Sequence, residues 1–289
     1  MGAPWVDTPS WNVVGRLSEV LGRDLAKLLV DADAPTLQET NNAQAATFAL
    51  SLVVLDRARG AGLVAGAVAG HSLGEYTALV AAGALADDAG MAVVGARGDA
   101  MVVASQTNPG TMAAVLGLGP DQVAGACADA GGDVWVANDN APGQVVIAGT
   151  NTGVAAAEAA ARDRGATRVM GLPVAGAFHT PLMAPAQAPL DTSLAASAFG
   201  DASVPVVANV DAEVRSQGDW RALLSAQLCS PVRWRESLTR LADLGVTTFV
   251  ELGPGDALSG MVKRTVPGAA RHSAATPESV DAVAAALKA

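Results

Sequence analysis

The 289-residue chain has only two cysteines, Cys127 and Cys229. Two thiols build no disulfide framework, and these two lack metal-ligand spacing, so the composition points to a reducing compartment. Aromatic residues make up 3% of the chain, and 18 basic residues face 28 acidic ones, for a net charge of −10. That balance excludes an electrostatic nucleic-acid binder. No apolar run reaches membrane-spanning length, because Asp56, Arg57 and Arg59 interrupt the best candidate. No basic-then-apolar leader opens the sequence. These absences leave a cytoplasmic protein with no nucleic-acid or membrane partner.

What is present is small and apolar. Hydrophobic residues account for 51% of the chain, with alanine, valine and glycine prominent, which suits helices packed tightly on a parallel sheet. Ser10 is placed to cap a first helix, and Leu25–Val30 forms a short helix or turn before a turn at Asp31–Pro35. A long helix runs from Thr40 to Ala58. Strand Leu63–Ala69 leads into helix Glu75–Ala82, and a helix over about 88–104 follows Asp87 or Asp88. After Pro109-Gly110 the pattern changes. Strands at Met112–Leu118, Val134–Asn138, Gln144–Ala148 and Thr167–Val174 alternate with helices Pro120–Ala130 and Thr152–Arg164. The order β-α-β-β-α-β is the ferredoxin-like arrangement. Beyond it come strands Val204–Val210 and Thr247–Leu252, with helices Trp220–Leu228, Pro231 to about Leu244, one ending at Arg264, and 277–288. The expected fold is α/β: a hydrolase-like parallel sheet covered by helices on both faces, formed by residues 1–107 and 175–289. A ferredoxin-like subdomain, 108–174, is inserted in it.

The chemistry centres on Gly70-His71-Ser72-Leu73-Gly74. A G-x-S-x-G stretch between a buried strand and a helix is the nucleophile-elbow pattern. The turn is tight enough to need small residues at 70 and 74, and it lifts the serine oxygen to a helix N-terminus whose N–H groups can steady an oxyanion. A serine nucleophile needs a base. His71 is a poor one, since neighbours at so sharp a turn point apart, and His272 lies in a polar C-terminal region. His179 sits in a loop bounded by glycine and proline after a strand, where functional side chains are displayed. Spacing does not reveal the group that orients it. Arg97 lies on the apolar face of its helix with Val93, Val94 and Met101. A buried guanidinium needs a partner: either a structural ion pair or snorkelling, or a carboxylate or phosphate ligand suited to its fork.

Together these residues carry a resemblance. Ala69-Gly70-His71-Ser72-Leu73-Gly74-Glu75 resembles the signature of malonyl-CoA:acyl-carrier-protein transacylases and polyketide-synthase acyltransferase domains. Further blocks agree in order: Arg97-Gly98-Asp99-Ala100-Met101, Ala137 to Gly149, Gly176-Ala177-Phe178-His179, Asn209-Val210-Asp211-Ala212, Gln227-Leu228 with Pro231-Val232-Arg233-Trp234, and Glu251-Leu252-Gly253-Pro254-Gly255. The resemblance implies that Ser72 takes the acyl group and that His179 is its base. It implies that Gln227 supplies the acceptor for the histidine, that Arg97 pairs with the malonyl carboxylate, and that Leu73 gives an oxyanion N–H. The implied reaction is ping-pong transfer of malonyl from CoA to the phosphopantetheine thiol of an acyl carrier protein, with no cofactor or metal.

The resemblance also raises expectations of detail. Members of the family normally open with a strand and a Gly-Gln-Gly-type loop, which these residues do not include. A truncated start is the expected reason, against a member that lacks the strand; were the segment truly absent, a central place in the sheet would be empty and one oxyanion donor gone, a loss of about 10²–10³ in rate. Phe178 is expected to crowd a methyl branch and favour malonyl over methylmalonyl groups, by about 1–3 kcal/mol. Arg233, Arg235, Lys263 and Arg264 are candidates for a carrier-protein patch, against scattered solvated charges. The competing readings are an acyl-thioester hydrolase on the same scaffold and a non-catalytic carrier-protein docking module.

Overall fold

The computed structural model describes residues 1–288. Its nine strands are β1 (Val68–Ala69), β2 (Thr111–Leu116), β3 (Val134–Ala141), β4 (Gln144–Gly149), β5 (Arg168–Gly171), β6 (Val206–Val207), β7 (Val214–Arg215), β8 (Thr248–Leu252) and β9 (Ala270–Ala274). They form three sheets, ordered β1-β6-β7, β3-β4-β2-β5 and β8-β9.

The four-stranded sheet has the order expected of β-α-β-β-α-β. β2 lies between β4 and β5, every neighbouring pair is antiparallel, and a hairpin at Pro142-Gly143 joins β3 to β4. Helices Pro120–Ala130 and Asn151–Asp163 cover one face, with Val123, Val154 and Ala157 packed on Val115, Val145 and Ile147. The other face packs Met112, Ala114, Val146 and Ala148 against Ala177 and Phe178, so it lies beside the loop that carries His179.

The rest is organised around the helix Thr40–Gly60, buried along most of its length. It packs against helix Asp87–Thr107, where Gly98 lets the two backbones approach: a Cβ there would lie 2.9 Å from Asn41 Cα. That closeness brings Gln44 and Arg97 together. Trp5, Leu17, Phe48, Tyr76, Leu79 and Met91 lie in the same core.

Several local expectations need correction. Leu63–Ala69 is a strand only at Val68–Ala69, and Val204–Val210 only at Val206–Val207. β1 pairs with β6 and β8 with β9, each in parallel, but β1 and β8 do not meet. The single parallel sheet is therefore interrupted between these two strands. β7, an antiparallel addition to β6, was not expected. A five-residue helix, Ala34–Gln38, replaces part of the turn at 31–35, because the Asp33 side chain caps it through Thr36 N. Ser10 caps nothing; a 3-10 turn at Pro9–Trp11 leads directly into the helix Asn12–Leu21. Asp87 and Asp88 lie in the first turn of their helix rather than at its cap, and both pair with Arg16.

Candidate active site

β1 ends at Gly70, and the chain turns so sharply that a Cβ on Gly70 would sit 1.9 Å from the Gly74 carbonyl. Glycine is obligatory there. Gly74 has open space where its Cβ would be, so the expectation that both glycines are sterically required holds for Gly70 alone. Ser72 adopts a left-handed conformation, φ 51°, which a non-glycine residue holds only when its surroundings impose it. Asn209, just beyond β6, is the clamp: its Oδ1 accepts from Ser72 N at 2.7 Å and its Nδ2 donates to Gly70 O at 2.8 Å. Helix Gly74–Ala81 follows directly. Among the described residues, the Leu73 N–H has no protein acceptor.

His179 also has positive φ, 61°. Its Nε2 lies 2.7 Å from Ser72 Oγ, and its Nδ1 lies 2.9 Å from the carbonyl oxygen of Gln227. A carbonyl only accepts, so Nδ1 carries the proton and Nε2 faces the serine hydroxyl with a free lone pair. Burial, then the nearby positive charge of Arg97, pushes the imidazole pKa down to about 3. The ring is therefore neutral near pH 7. His71 turns the other way, as its place in the elbow requires. Its Nε2 is 2.7 Å from Asn140 Oδ1 on β3, and its ring meets Trp234 edge-on.

Gln227 lies in helix Trp220–Leu228 and is fully buried. It supplies the acceptor expected of it for His179 through its backbone carbonyl. The side chain has separate work. Nε2 donates to Glu75 Oε2 at 2.7 Å and Ser72 O at 3.0 Å, while Oε1 accepts from Arg97 Nη2 at 3.1 Å.

Arg97 is 2% exposed. Its Nη2 also donates to Ser72 Oγ at 3.1 Å, and its Nη1 donates to Gln44 Oε1. Its Nε has no partner, and no carboxylate pairs with it directly. The guanidinium thus lies at the nucleophile with an unsatisfied buried donor, which the ion-pair and snorkelling readings do not provide for. Phe178 packs beside Gly176, whose Cβ would lie 2.5 Å from the ring, and joins the packing beneath the four-stranded sheet.

No local sequence signal assigns a role to Glu75 or Asn209. Glu75 lies in the first turn of its helix, where the dipole favours an acid. It is in fact 1% exposed and accepts from both Gln227 Nε2 and Asn209 N. Burial pushes its carboxyl pKa up to about 7. Gln44 carried no signal beyond its place on a long helix.

Of the candidate basic patch, Arg233 pairs with Glu236 and Arg235 with Asp139. Arg264 bonds the Gln144 amide, and Lys263 forms no ion pair among the described residues. Two of the four charges are thus neutralised locally. The described residues contain no cluster of His, Cys, Asp or Glu able to hold a metal. None of their helices is long and apolar enough to cross a membrane.

Similarity to known proteins extends over nearly the whole chain. A family model described as an acyl transferase domain matches residues 13–284. The malonyl CoA-acyl carrier protein transacylase of Bacillus subtilis is 42% identical over 274 residues, covering 93% of this chain and 86% of that protein. The solved malonyl CoA-acyl carrier protein transacylase of Clostridium perfringens superposes with a TM-score of 0.94 at 31% identity, covering 100% of this chain and 92% of that one. A malonyl-transacylase solved with a type II polyketide acyl-carrier protein superposes at 0.92 with 34% identity, covering 97% and 93%. The chain belongs to the acyl transferase domain family.

Proposed function

We propose that this chain transfers a malonyl group from CoA to the phosphopantetheine thiol of an acyl carrier protein, by way of an ester on Ser72. The observation that carries the proposal is the 2.7 Å contact between Ser72 Oγ and a neutral His179 Nε2. In the first half-reaction Oγ attacks the thioester carbon as Nε2 takes its proton. The Leu73 N–H faces the developing oxyanion, the C–S bond breaks, and the imidazolium returns the proton to the CoA sulfur. In the second half, the carrier thiol gives its proton to Nε2 and attacks the ester, and Ser72 leaves with that proton. A thiolate is a good leaving group, so a neutral carbonyl suffices to orient His179 where hydrolases of harder substrates place an acid.

Arg97 is the ligand for the malonyl carboxylate. Its unpartnered Nε supports this, and so does the lack of a paired acid. A hydrolase of neutral acyl chains has no use for a buried cation at the nucleophile. Phe178 acts at a remove, by packing the loop that carries His179. His179 and the Leu73 N–H serve every step of the scheme without a metal or cofactor, and the scarcity of cysteine fits a cytoplasmic enzyme. The small sheet and its helices form a subdomain of their own, 108–174, with residues 1–107 and 175–289 forming the larger one.

The test is intact-protein mass spectrometry after brief incubation with malonyl-CoA, methylmalonyl-CoA and acetyl-CoA in competition. A malonyl-sized adduct, absent in Ser72→Ala, is expected. Acetyl in preference to malonyl would overturn the role of Arg97.

A further inference from the structure

Among the described residues, Arg97 is a buried cation in contact with no anion. Its Nη1 donates to Gln44 Oε1, and its Nη2 donates to Gln227 Oε1 and to Ser72 Oγ, each at 3.1 Å. Its Cζ lies 5.6 Å from the centre of the Tyr76 ring. Two carboxamides, a hydroxyl and the face of a phenol therefore surround the guanidinium, and none of them is charged. Glu75, the buried acid of the same network, is held one side chain away: Gln227 accepts from Arg97 through Oε1 and donates to Glu75 through Nε2. Gln227 thus has its place between Arg97, Glu75 and the backbone of Ser72. Gln44 has no such second duty.

Gln44 lies in helix Thr40–Gly60 and is 7% exposed. Its amide can face Arg97 in one way only. A guanidinium has no acceptor, so Oε1 and not Nε2 must meet Nη1. Nε2 then donates to the Met101 sulfur at 3.2 Å, one turn along the helix that carries Arg97. Two contacts four residues apart on that helix hold the amide from both ends.

Glutamate has the same shape, and at this position it would pair with a guanidinium that is otherwise unneutralised in the interior. It would also cancel the charge the site has to offer. Glutamine satisfies the same Nη1 donor and leaves the cation whole. We propose that Gln44 is a positioning and specificity-determining residue: its neutral acceptor fixes the guanidinium beside Ser72 and keeps the charge free for the carboxylate of the incoming acyl group. This assignment rests on Arg97 being the carboxylate ligand, as proposed above, and adds the residue that sets how much of its charge a substrate meets.

The test pairs Gln44→Glu, which changes only an amide into a carboxylate, with Gln44→Met, which removes the acceptor and brings no charge. Thermal melts establish folding, and kcat and KM for acyl-enzyme formation are measured with malonyl-CoA and acetyl-CoA on both variants and the parent. Gln44→Glu should lower the malonyl-to-acetyl ratio of kcat/KM by about 10²-fold or more, mainly by raising KM for malonyl-CoA. Gln44→Met should lower it by about tenfold, because the charge remains but its fork is no longer held. A glutamine that merely fills space predicts equal losses with both esters, or none. An unchanged ratio in folded Gln44→Glu overturns the proposal, as does a larger fall in Gln44→Met than in Gln44→Glu. Should Gln44→Glu not fold, an unchanged ratio in Gln44→Met overturns it. A parent that takes acetyl as readily as malonyl overturns the role of Arg97 itself, an outcome distinct from a selective parent whose selectivity survives Gln44→Glu.

Discussion

Glu75 is the residue whose replacement tells most about how the site is held. Its Oε2 accepts from Gln227 Nε2 at 2.7 Å and from Asn209 N at 3.2 Å. Gln227 and Asn209 are the two side chains that hold the Ser72 backbone, from the carbonyl and amide sides respectively. Glu75→Ala strands two buried donors, each costing about 1–3 kcal/mol, so a stability loss of about 2–6 kcal/mol is expected. A displacement of about 1 Å at the serine costs about 10²-fold in rate, and that is the expected fall in acyl-enzyme formation at a temperature where the variant is folded. Glu75→Gln keeps an acceptor oxygen in place and removes only the charge. It should remain within about tenfold of the parent, because the hydrogen bonds that position Ser72 survive. Charge has its own signature. Above pH 7 the ionised carboxylate partly offsets the field of Arg97, so KM for malonyl-CoA should rise through pH 7 in the parent and stay flat in Glu75→Gln, with kcat little changed. Stopped-flow acylation and KM profiles from pH 6 to 8 provide the assay. Glu75→Ala acylating within threefold of the parent would refute the positioning argument; a KM rise that persists in Glu75→Gln would refute the electrostatic one.

Arg97→Ala should lower malonyl transfer by about 10²–10³-fold, since truncating one partner of a buried charge pair costs about 2–5 kcal/mol. Acetyl transfer should fall far less, and competition kinetics with the two CoA esters measure the difference. Gly70→Ala should yield no folded elbow, while Gly74→Ala should be tolerated within about 1 kcal/mol, because only the first places a Cβ against backbone; urea melts of both variants decide this. Acid should destabilise the protein through His179. Its folded pKa lies near 3, below the unfolded value of about 6.5. The corresponding stability is present above pH 6.5 and lost as pH falls towards 3, on the order of 5 kcal/mol in all. His179→Gln should flatten that part of the stability profile, as followed by denaturant midpoints at successive pH values.

The sequence was most informative where local rules dominate. The elbow, Arg97 on its apolar stripe and His179 in its loop were all legible, because each breaks a pattern its neighbours keep. The β-α-β-β-α-β order could be read from alternating periods and turn residues, and the structure repeats it strand for strand. Long-range contacts were not legible. No spacing relates Asn209 to Ser72, 137 residues away, or shows that Gln227 orients His179 through its carbonyl and not its amide. Strand lengths at Leu63–Ala69 and Val204–Val210 failed for a related reason: apolar sequence predicts a strand, but a strand forms only beside a partner, and β1 has one on a single side. The role of Glu75 was hidden because a first-turn acid has a sufficient local explanation.

Among the described residues, Ser72 and His179 are two of three non-glycine residues with positive φ, and they face each other. Each such conformation costs about 1–3 kcal/mol. The fold therefore works against itself at its reactive pair, and it does so at the cheapest place to relax. A glycine at position 72 would ease the backbone and remove the hydroxyl in one step, giving an inert protein that outlasts its active parent on heating. Heat stability and the proposed chemistry therefore pull in opposite directions at this one position.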